Sequence, residues 1–72
     1  MDKSIHSNEY KGLVKKLKEA RIEIGLTQGE AAKKLKKPQS YISKVENGEQ
    51  RIDVIEMKKF ADLYKKDINY FL

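Results

Sequence analysis

The sequence predicts an all-α fold, a compact bundle of five helices, and three observations carry that prediction. Apolar residues recur with the 3.6-residue period of a helix and do not alternate as in a strand. One proline and four glycines are the only strong breakers in 72 residues. A chain of this length also has room for a single domain with one small core, and it carries no internal repeat or low-complexity tract.

Each element follows from a local pattern. From Asn8 to Ile24, Leu13, Val14, Leu17, Ala20 and Ile24 trace one helical face, and Gly25 stands where a left-handed residue ends a helix, with Leu26 folding back over the last turn. Thr27 and Glu30 have the spacing of a capping box, opening a second helix that runs to about Leu35 with Ala31, Ala32 and Leu35 inward. Lys36-Lys37-Pro38 breaks it, because proline disfavours helical backbone in the residue before it and suits the first turn of a new helix. The third helix, from Pro38 to about Asn47, buries Ile42 and Val45 and exits at Asn47-Gly48. Asp53 and Glu56 repeat the capping-box spacing, and Val54, Met57, Phe60, Ala61 and Tyr64 give the fourth helix its stripe. Asp67 caps a fifth, short helix that turns Ile68 and Phe71 onto the core. Residues 1–7 are expected to form a mobile arm and 8–72 the folded domain.

Composition narrows the function. Sixteen basic against eleven acidic residues give a net charge of +5. The pI near 9.5 and mean hydropathy of -0.77 favour a soluble protein that meets a polyanion, whether nucleic acid or an anionic membrane face. The lack of cysteine excludes disulfides, thiolate zinc sites and thiol catalysis. Met1 to Ser7 has no signal-peptide character, and no apolar run approaches the roughly 18 residues of a membrane span, so a cytoplasmic protein is expected. His6 is the lone histidine, no serine has a histidine and an acid arranged around it, and Glu19 and Glu23 read as surface rather than as a metal pair. The expectation is a non-enzyme with no metal and no cofactor.

Two short helices joined by a tight turn within a bundle of longer ones have helix-turn-helix geometry. Leu17 to Leu35 reads LxxARxxxGLTQxExAxxL and Gln39 to Gly48 reads QSYISKVENG. Together these resemble the Cro and repressor (XRE) family of DNA-binding proteins, over roughly Leu13 to Phe71, through many positions agreeing at once. The resemblance implies a lambda-repressor-like fold whose second motif helix lies in the major groove of double-stranded DNA. By position it makes Gln39, Ser40 and Lys44 the base readers, with Pro38, Tyr41 and Ser43 close by. It makes Gln28, Asn47 with the Gly48 backbone, Lys37 and Arg51 the phosphate contacts, and Arg21 with Glu46 a structural ion pair. The residue types suit those roles, since glutamine pairs with adenine N6 and N7 and lysine donates to guanine O6 and N7.

Two positions depart from the family pattern. Lys36 stands where glycine is usual, which calls for a left-handed lysine or a changed turn. Pro38 replaces the usual serine or threonine cap.

Plainer readings stand beside these. Tyr41 either packs against the second helix or touches DNA, and Gln39, Ser40 and Lys44 taken alone could be a solvated face. Between Thr27 and Arg51 six basic and three acidic residues leave a local +3, more than half the net charge. The first helix, with Lys11, Lys15, Lys16 and Lys18 off its stripe, reads as a solvated bundle helix rather than a membrane or calmodulin-target helix, because Glu9, Glu19 and Glu23 share its polar side. Ile55, Leu63, Tyr70 and Leu72 are left over for a homodimer contact or for plain exposure. Two functions follow: a dimeric transcription regulator on a two-fold operator or, from another class, an antitoxin-like or adaptor module that binds a protein partner.

Overall fold

A computed structural model of the protein describes residues 7–72. The expected arm, with His6, lies outside the described residues except for Ser7, whose Oγ accepts the Tyr10 amide at 3.0 Å and caps α1, Asn8–Glu23. Thr27 and Glu30 exchange side-chain and backbone bonds of 2.8 and 3.0 Å to open α2, Gln28–Leu35. Then come α3, Gln39–Glu46, and α4, Val54–Tyr64, the latter opened by the same reciprocal bonds between Asp53 and Glu56.

All four helices leave by one pattern, in which a left-handed residue and the residue after it return their amides to the last turn. At the end of α1 the Gly25 amide donates to the Ile22 carbonyl at 3.0 Å and the Leu26 amide to Arg21 at 3.1 Å. Gly25 and Gly48 take this conformation after α1 and α3 at φ 82° and 76°, but Lys36 and Lys65 take it after α2 and α4 at φ 58° and 57°. The turn between the motif helices therefore keeps its left-handed shape with a lysine in place of glycine. Lys65 takes the same conformation at a site the sequence did not flag.

Four α-helices, not five, make up the described fold. After Lys65 the chain forms a single 3₁₀ turn, Ile68–Tyr70, started by Asp67 accepting the Asn69 amide at 2.8 Å. Its amides bond three residues back, Tyr70 to Asp67 at 2.9 Å and Phe71 to Ile68 at 3.0 Å. A three-residue period sets Ile68 and Phe71 on one side, which is how Phe71 reaches the core from so short an element.

The core joins Leu17 and Ala20 of α1, Ala31 and Ala32 of α2, Ile42 and Val45 of α3, and Met57, Phe60, Ala61 and Tyr64 of α4. The small side chains of α2 let it approach α3 and α4 closely, and α1 closes the other side of α3. Val54 departs from its expected place: it is 59% exposed, and Ile52, in the extended segment before α4, is buried instead. Pro38 also shifts by one position. At ψ 153° it is the residue before α3 and not part of its first turn.

Candidate nucleic-acid interface

The orientation of α3 is set at its rear. Glu46, whose side chain is 4% exposed, receives Arg21 Nε at 2.7 Å on Oε2 and Arg21 Nη2 at 3.0 Å on Oε1. Gln28 Nε2 donates to the same Oε1 at 3.0 Å, and Arg21 Nη1 donates to the Leu26 carbonyl at 2.8 Å. One carboxylate thus ties α1, the start of α2 and the end of α3 together with charge-assisted bonds. Its hydrogen bond to Arg21 holds the guanidinium above the ordinary arginine pKa, against the opposing effect of burial. Beside this network the Tyr64 hydroxyl is buried without a hydrogen-bond partner among the described residues, and burial raises its pKa.

The outer face of α3 is open. Gln39, Ser40 and Lys44 are exposed and Ser43 is half-buried, with Ile42 and Val45 on the reverse face in the core. Gln39 leans over the first turn of α2, where a Cβ added at Gly29 would lie 3.6 Å from its Oε1. Pro38 and Lys37 are exposed before the helix; Asn47 and Arg51 are exposed after it.

Tyr41 is the member of the predicted set that turns away. Its ring stacks on Phe60 of α4 with centroids 6.2 Å apart, and its hydroxyl donates to Glu56 Oε2 at 2.5 Å. Burial, then the bond to Glu56, raises its pKa. Tyr41 therefore packs on α4, and it also lines a pocket with Leu35 of α2. Lys37 Nζ lies 5.1 Å from the centre of the ring, a cation–π contact that holds this lysine beside the start of α3.

Gln28, expected at a phosphate, has its amide nitrogen on Glu46. Sequence reasoning missed this third arm of the network and the Tyr41–Glu56 link, because neither spacing marks a contact. The capping box had also accounted for Glu56, yet only its Oε1 serves the Asp53 amide and Oε2 remains for Tyr41.

A family model described as helix-turn-helix matches residues 17–71, the whole of this arrangement. The chain belongs to the XRE-type helix-turn-helix family. A solved structure, an XRE-family like protein from Pseudomonas syringae pv. tomato str. DC3000, superposes with a TM-score of 0.85. It is 43% identical over 96% of this chain and 84% of its own. No curated protein matches. XRE-type proteins form a DNA-binding regulatory family, not generally an enzymatic one, and bind double-stranded DNA. The matched residues include both short helices, α2 and α3. Among the described residues no helix is long and apolar enough to cross a membrane.

Proposed function

We propose that this protein binds duplex DNA with sequence preference as a small transcription regulator, with α3 in the major groove. The observation that carries this reading is the asymmetry of α3, anchored at Glu46 and open along Gln39, Ser40 and Lys44. Gln39 reads adenine and Lys44 guanine, with Ser40, Ser43 and Pro38 shaping the approach. Lys37, Asn47 with the Gly48 backbone, and Arg51 meet phosphates on either side. Gln28 Nε2 carries two hydrogens and gives one to Glu46, so the second is aimed by the network and available to a phosphate oxygen. Tyr41 contributes by fixing α3 on α4.

One copy reads about four to six base pairs, so two copies on half-sites roughly 34 Å apart complete the operator. Ile55 and Leu72, both exposed, offer apolar surface for that contact, whereas Leu63 packs on the core and Tyr70 lies under Lys16 and Lys66. No cofactor enters this function, and the cytoplasm is where the protein would meet its operator.

Selection from a random duplex pool at near-physiological salt tests the proposal. Enrichment of a two-fold symmetric motif is the expected result. Retention without enrichment would reduce the interface to backbone binding. No retention, with a copurifying protein that survives nuclease, would move the function to an adaptor or antitoxin-like module.

A further inference from the structure

The charges of α1 are sorted by side. At about 100° per residue, Lys11, Lys15 and Lys18 fall within about 60° of one another, and Glu9, Glu19 and Glu23 occupy a sector centred about 110° away. The acidic side faces the C-terminal turn, where Glu23 pairs with Lys66 at 2.9 Å and Lys16 lies over the Tyr70 ring. The basic side lines an open groove whose other wall is Glu46, Asn47 and Gly48, at the exit of α3. Glu46, the acidic residue in that wall, is already neutralised by Arg21. All three lysines are exposed, and none forms an ion pair among the described residues. Like charges three and four residues apart on a helix repel one another, so this stripe burdens the isolated fold until a polyanion covers it.

We infer that Lys11, Lys15 and Lys18 form a second backbone-binding strip, which carries the phosphate run from Asn47 and Gly48 onto α1. The inference rests on the DNA-binding reading above and extends its footprint beyond the motif. The occupant is the sugar–phosphate backbone of duplex DNA, indicated by the charge of the strip and by its continuity with the end of α3. From Lys11 to Lys18 the strip is about 10 Å long at 1.5 Å per residue, long enough to meet more than one phosphate. Its contacts add affinity without base preference.

The test compares wild type with the triple variant Lys11→Gln, Lys15→Gln, Lys18→Gln and with a charge-matched triple, Lys16→Gln, Lys58→Gln, Lys65→Gln. Dissociation constants are measured for selected and random duplexes between 50 and 200 mM salt. The strip variant should weaken both duplexes by the same factor. It should also flatten the slope of log K against log salt by about 0.9 per lysine removed per bound chain, while the charge-matched triple leaves the slope near the wild-type value. A melting temperature equal to or above wild type would show that the fold is intact. An unchanged slope in the strip variant, or an equal change in both triples, overturns the strip and leaves the DNA-binding reading standing. Absence of salt-dependent DNA binding by wild type overturns both.

Discussion

The two ends of α3 are built on opposite plans. At its C-terminal end the side chain of Glu46 is buried and accepts three bonds of 2.7 to 3.0 Å from Arg21 and Gln28, and Gly48 closes the exit. Its N-terminal end has Pro38 in the capping position, no side-chain cap, and exposed Gln39 and Ser40. The starts of α2 and α4 both carry full capping boxes, so the bare start of α3 stands apart within the same small fold. The difference teaches how a short helix can be rigid and still present its side chains: orientation is fixed at the rear, in a desolvated charge network, and the front is left open to solvent, where the proposed function places DNA.

The comparison can be broken most directly at Glu46. Glu46→Ala leaves Arg21 buried without its partner and should cost about 3 kcal/mol of folding stability in denaturant titration. A loss below about 1 kcal/mol would mean that Ile42 and Val45 alone hold the helix, since surface pairs contribute no more than that. At the other end, Gln39→Ala should leave stability unchanged and weaken binding by about 1 to 3 kcal/mol on the selected sequence only. Equal losses on selected and random duplexes would remove Gln39 from base reading.

Smaller effects sharpen the contrast between the helix starts. Thr27→Ala removes the side-chain half of the α2 capping box and should cost about 1 kcal/mol of stability. Lys36→Gly relieves a left-handed lysine and should raise stability by about 0.5 kcal/mol, the strain relieved being partly offset by the entropy that glycine loses on folding. A decrease instead would show that the lysine side chain, rather than the backbone conformation, stabilises the turn.

Much of this arrangement was legible in the sequence because it depends on near neighbours. Thr27 with Glu30, Asp53 with Glu56, and Gly25 and Gly48 each act through bonds spanning a few residues, so spacing alone locates them. The inward faces of α1, α2 and α3 follow from the helical period in the same way. The fifth helix failed because Asp67, Ile68 and Phe71 fit a tight 3₁₀ turn as well as an α-helix, and the pattern is too short to separate the two. Val54 and Ile52 exchanged places because the stripe continues through the first position of α4, whereas burial there is decided by the segment that leads into it.

By itself, then, the sequence determined an all-α domain, its motif helices and the family pattern that marks the outer residues of α3. Tertiary structure alone decided that Gln28 joins the Arg21–Glu46 pair, that Tyr41 faces α4, and that the lysines of α1 border the exit of α3. Helical period and capping are properties of adjacent residues. These contacts join residues 15 to 25 or more positions apart, and only the packing angles of whole helices bring them together.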